Sequence, residues 1–79
     1  MTPQEAIQAM LARRRSDTSI CPSEAARLLD PADWRTRLPE IHEAAAGMIE
    51  DGQLLATQKG KSVDIRTARG ALRLKLPPA

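Results

Sequence analysis

Apolar residues along this chain follow two periods, and the change from one to the other divides it. Ile7, Met10 and Leu11 recur at the three-to-four-residue spacing that lines one side of a helix. Thr2-Pro3-Gln4-Glu5 supplies the start: a threonine that can cap an orphan N–H, a proline suited to the first helical position and a glutamate that completes a capping box. A first helix is predicted from residue 3 to about residue 15, ended by the polar run Ser16-Asp17-Thr18-Ser19. Ile20 begins a short extended piece able to pair with a later hairpin. Cys21-Pro22-Ser23-Glu24 then repeats the start signal, with Ala25, Leu28 and Leu29 inward. The second helix stops near residue 29, because Asp30 precedes Pro31 and is pushed out of helical geometry.

Pro39 limits the third helix. It has no N–H to donate and is tolerated best in a first turn, so the main helix is predicted to begin between residues 35 and 38, with Trp34 packed in the turn before it. Leu38, Ile41, Ala45, Met48 and Ile49 form its apolar stripe, and Asp51-Gly52 ends it with a glycine suited to a left-handed residue. Beyond Gly52 the period becomes two. Residues 53–58 read as one strand, and Leu72, Leu74 and Leu76 alternate with polar neighbours in another. Residues 59–70 are a long polar connection between them, and residues 76–79 a frayed tail. The expected fold is α+β: a winged helix-turn-helix of three helices followed by a two-stranded hairpin, the wing.

Composition limits what this fold can hold. Seventy-nine residues suffice for one domain, here residues 1–79, and not for two cores. Thirteen of the apolar residues are alanine, and Trp34 is the sole aromatic side chain, so the core is thin. A core of this size contributes on the order of 3–5 kcal/mol. The single cysteine cannot form an internal disulfide, and the arginines at 13–15 follow the first apolar residues, the reverse of a signal peptide's order. No apolar run approaches a membrane span. A cytoplasmic protein is expected, with no membrane partner. The net charge of +2 conceals a division: residues 1–37 carry +1, residues 38–58 carry −4 and residues 59–79 carry +5.

Three stretches have more specific wording. They are Ser19-Ile20-Cys21-Pro22-Ser23-Glu24-Ala25-Ala26-Arg27, then Trp34-Arg35 with Pro39, then Thr57-Gln58-Lys59-Gly60-Lys61 leading to Val63-Asp64, Thr67-Ala68-Arg69-Gly70 and Leu72-Arg73-Leu74. Together they resemble the bacterial family of domains of unknown function numbered 3253, over nearly the whole chain. The resemblance implies a winged-helix-like fold and carries no activity or catalytic residues with it. Two positions depart from the family's wording: Ile65, where a proline is expected after Val-Asp, and Ala71, where one often follows Arg-Gly.

Winged-helix domains commonly hold duplex DNA, with the third helix in the major groove and the wing on the backbone. On that reading Lys59, Lys61, Arg66, Arg69 and Arg73 are candidate phosphate contacts, joined by Arg35, Thr36 and Arg37 at the start of the third helix. The helix's outward side argues against base reading, since it carries Glu40, Glu43 and Glu50. Those three are instead candidates for contact with a basic protein partner or with the wing of a second copy in a homodimer. Catalysis is not expected: Cys21 and His42 are single residues with nothing to bring them together. No cofactor or small-molecule substrate is evident, and no ligand cluster suggests a metal. Gly60-Lys61-Ser62 resembles the end of a phosphate loop, but Leu55 stands where that loop needs glycine. A surface for stacking single-stranded bases would need more aromatic residues than Trp34.

Overall fold

The computed structural model describes residues 1–14 and 18–78. Its elements run α1 (Pro3–Ala12), β1 (Ser19–Ile20), α2 (Pro22–Leu29), α3 (Trp34–Glu50), β2 (Leu55–Gln58), β3 (Lys61–Ser62) and β4 (Arg73–Lys75). The α1 capping box forms in full: the Glu5 N–H donates to Thr2 Oγ1 at 3.1 Å, and the Thr2 N–H donates to Glu5 Oε1 at 2.7 Å. This helix ends at Ala12, earlier than expected, and Arg15 with Ser16 and Asp17 lies outside the described residues. In α2 the Cys21 N–H donates to Glu24 Oε2 at 2.7 Å, and Arg14 forms an ion pair with the same carboxylate, so Glu24 ties α1 to α2.

Helix α3 begins at Trp34, so the tryptophan is its first residue and not part of the preceding turn. The entry is held locally, with the Asp33 N–H donating to Asp30 Oδ1 at 3.1 Å and the Thr36 hydroxyl to the Asp33 carbonyl at 2.9 Å. Pro39 therefore lies inside the helix, in its second turn. At the other end Gly52, at φ 75, lets the Gly52 N–H reach the Ile49 carbonyl and the Gln53 N–H reach the Met48 carbonyl. That pair of bonds is a Schellman closure. It engages Gln53, which is why β2 starts at Leu55 and not at residue 53.

The sheet is larger than the two-stranded hairpin expected. Four strands pair antiparallel in the order β1-β4-β2-β3. Lys59 and Gly60 both have positive φ, 52 and 80, and form a two-residue turn that brings Lys61 opposite Gln58 and Ser62 opposite Thr57. Both residues of β3 are exposed, so no apolar alternation marked this strand within the polar stretch. The chain then turns at Asp64, whose carbonyl accepts from the Thr67 and Ala68 N–H groups and whose Oδ1 accepts from the Arg66 N–H. It returns as β4 between β1 and β2, with Leu74 opposite both Ile20 and Ala56.

That row of three residues lies on the face the helices cover. Ile7, Ile20, Ile41, Leu54 and Leu74 are fully buried, with Ala6, Leu11, Ala25, Ala26, Ala45, Met48, Ala56 and Leu72 completing the core cluster. Val63, Ile65 and Ala68 of the return loop pack against its edge, so Ile65 anchors the loop by burial. The result is an α+β domain with three helices backed by one small antiparallel sheet, an arrangement compatible with a winged helix-turn-helix.

Candidate nucleic-acid interface

Eleven residues were singled out by sequence, and the structure sorts them by what they already touch. Arg66 reaches from the return loop to α3, where Nη1 lies 3.2 Å from Glu43 Oε2 and Nη2 lies 3.4 Å from Glu50 Oε1. The two carboxylates raise the arginine's pKa above its ordinary value, Glu43 through its hydrogen bond and charge most of all. Arg37 places Nη1 3.1 Å from Glu40 Oε1. Its Nε is 3.9 Å from Asp30 Oδ2, too long for a hydrogen bond, and is a buried polar atom without a partner among the described residues. Arg73 bridges β4 to β1, its Nε donating to Ser19 Oγ at 2.9 Å and its Nη2 to the Ser19 carbonyl at 2.8 Å.

These contacts change the charge picture. Glu40, Glu43 and Glu50 all have an arginine partner inside the same chain. Two arginines thus offset part of the charge of three glutamates on the acidic side of α3, and those arginines are not free cations. Thr36 is exposed, with its hydroxyl turned back onto the Asp33 carbonyl.

Lys59, Lys61 and Arg69 remain. All three are exposed, and none forms an ion pair among the described residues. They line one open concavity of about 780 Å³ together with Gln58, Ser62, Val63 and Ala71. No carboxylate of the described residues lines it. The β2–β3 turn places both lysines, and Gln58 places the arginine: its Nε2 donates to the Arg69 carbonyl at 2.7 Å and to the Ala71 carbonyl at 3.1 Å. One amide thereby fixes both sides of Gly70, whose φ is 83. A concavity lined by three cations and hydrogen-bonding groups attracts anions, and phosphodiester oxygens suit both kinds of donor.

Arg35 is the remaining residue singled out. Its guanidinium carbon lies over the Trp34 ring, 4.4 Å from the ring centroid, and Arg27 of α2 lies over the same ring at 4.4 Å. Sequence reasoning missed Arg27 and Gln58. Gln58 acts across 11 and 13 residues of chain and Arg27 across the α2–α3 turn, and no helical or strand spacing signals either role.

The described residues contain no group of three His, Cys, Asp or Glu placed to hold a metal ion, and none of the helices is long and apolar enough to cross a membrane. The fold and the cationic concavity define the class: a small α+β domain with a hollow on its sheet lined, among the described residues, by three cations and no carboxylate. Residues 2–77 match the model of the family described as Protein of unknown function (DUF3253), and the chain belongs to that family. No curated protein sequence matches it.

Proposed function

We propose that this domain is a non-enzymatic binder of duplex DNA, with the wing seated on the phosphate backbone and the start of α3 approaching the major groove. The supporting observation is selective. Lys59, Lys61 and Arg69 surround one hollow that no acid of the described residues lines, whereas Arg37 and Arg66 are engaged by carboxylates of the same chain. Binding of this kind is mainly electrostatic and reads sequence weakly. The free thiol of Cys21 and a DNA partner both fit a cytoplasmic location.

A titration of labelled duplex at about 50 and 200 mM salt tests it. Three phosphate contacts weaken affinity by about 40-fold over that range, from a slope of roughly −0.9 per contact. Absence of binding at the lower salt would rule the proposal out. The rival reading, a protein-interaction or self-association module using Glu40, Glu43 and Glu50, is less favoured because each glutamate already has an arginine partner. Sedimentation equilibrium together with a pull-down tests the rival, and a strict monomer that captures no partner would count against it.

A further inference from the structure

A second group of cations lies apart from the wing, at the junction of α2 and α3. The geometry points to a phosphate clamp built from Arg27, Trp34 and Arg35, one that holds the nucleic-acid backbone where α3 begins. This inference rests on the DNA-binding reading and adds a second point of contact to it.

The three residues come from two elements. Arg27 lies in the last turn of α2, and Trp34 and Arg35 open α3. Both guanidinium carbons lie 4.4 Å from the centroid of one indole ring, so the two charges are separated by no more than twice that distance. Both arginines are exposed, and neither forms an ion pair among the described residues. Two like charges held this close repel, and an anion beside them relieves the repulsion. The ring does the holding, since the face of an indole attracts a guanidinium. Trp34 is itself half-buried against the core, so the platform is fixed. Arginines ordered beforehand lose less side-chain freedom on binding, and their planar forks match phosphate oxygens.

Position supports the same assignment. At about 100° per residue, Arg35 falls on the same side of α3 as Pro39, His42, Glu43 and Ala46. Those four line a cleft with Ile65 and Arg66 of the return loop, so Arg35 and the wing lie along one side of the helix. In helix-turn-helix docking the helix before the reading helix crosses the backbone, which is where Arg27 stands.

The test uses the full chain and its single tryptophan. Duplex binding is measured across salt for the wild type, Arg27→Gln, Arg35→Gln and a Lys59→Ala/Lys61→Ala/Arg69→Ala variant, with circular dichroism confirming the fold of each. Each arginine variant is expected to reduce the steepness of log K against log salt by about 0.9, the value of one phosphate contact. Duplex is also expected to change Trp34 emission in the wild type, and to change it less in both arginine variants. If the wing variant loses slope while Arg27→Gln and Arg35→Gln keep the wild-type slope and emission change, the clamp is overturned and wing binding stands. If the wild type binds no duplex at low salt, both fall.

Discussion

Arg66 in the return loop and Glu43 on α3 meet at 3.2 Å across 23 residues of sequence, and Glu50 two helical turns further on shares the same guanidinium. The contact fastens the return loop to the third helix and offsets one of the two negative charges there. All three side chains are at least half exposed, so the contact is screened by salt and contributes little to folding. Its consequence is electrostatic.

Arg66→Gln should therefore weaken duplex binding severalfold by leaving Glu43 and Glu50 unneutralised, with little change in the unfolding midpoint. Adding Glu43→Gln and Glu50→Gln to that variant should restore affinity, because the charges that repel phosphate are then gone. Equilibrium binding at one fixed salt concentration, compared across the four combinations, measures the coupling. Failure of the glutamine pair to rescue would show that Arg66 itself contacts the backbone.

Lys59 adopts a left-handed conformation, φ 52, that costs a side chain with a Cβ roughly 1–2 kcal/mol. Asn or Gly would occupy this turn position with less strain. Lys59→Gly is expected to raise stability by about 0.5–1 kcal/mol, after the added freedom of the unfolded chain offsets part of the gain, and to weaken duplex binding. Urea unfolding and a binding titration on the same preparation check both signs. A variant that gains stability and binds as before would show that the cation at the turn has no binding role.

The core leaves little reserve. Ile41 is fully buried between the helices and the sheet, and Ile41→Ala should cost about 2–5 kcal/mol. A domain of this size holds only about 3–5 kcal/mol in its core, so the variant is expected to be largely unfolded at 25 °C by circular dichroism. Retention of a cooperative, wild-type-like thermal transition would mean that the core is better filled than its alanine content implies.

Acid stability should carry a signature of the first helix cap. The Thr2 backbone N–H, and then the Thr2 hydroxyl, hold the Glu5 carboxylate below its ordinary pKa in the folded state. A lowered folded pKa means that the ionised form favours folding. This stabilisation is complete above the ordinary value of 4.5 and is lost as pH falls through the lower folded value. Glu5→Gln should flatten stability against pH in that window and leave its shape near neutrality unchanged. Thermal melts from pH 3 to pH 7 provide the comparison, and identical profiles would contradict it.

The first two helices and the core were legible in sequence because those helix starts carry a chemical signal, as does the end of the third. Thr2 with Glu5, Cys21 with Glu24, and Gly52 each mark an end that the structure places within a few residues. The third strand was not legible. Lys61 and Ser62 are both exposed, and their pairing depends on a left-handed lysine that composition does not reveal. Pro39 misled by one residue or more, since its place inside α3 is set by the start held at Asp30 and Asp33. For the candidate site, sequence identified which residues are cationic but not which are free. Arg66 and Arg73 acquire partners through tertiary packing and Arg37 through an i,i+3 pair within α3, whereas Lys59, Lys61 and Arg69 form no ion pair among the described residues.

The central claim is that Lys59, Lys61 and Arg69 supply the wing's contact with phosphate. Salt dependence of duplex binding, compared between the wild type and the Lys59→Ala/Lys61→Ala/Arg69→Ala variant, tests it most directly. The variant should bind more weakly at every salt concentration and with a slope shallower by about 2.7, the contribution of three contacts. A variant that binds with the wild-type slope would contradict the claim.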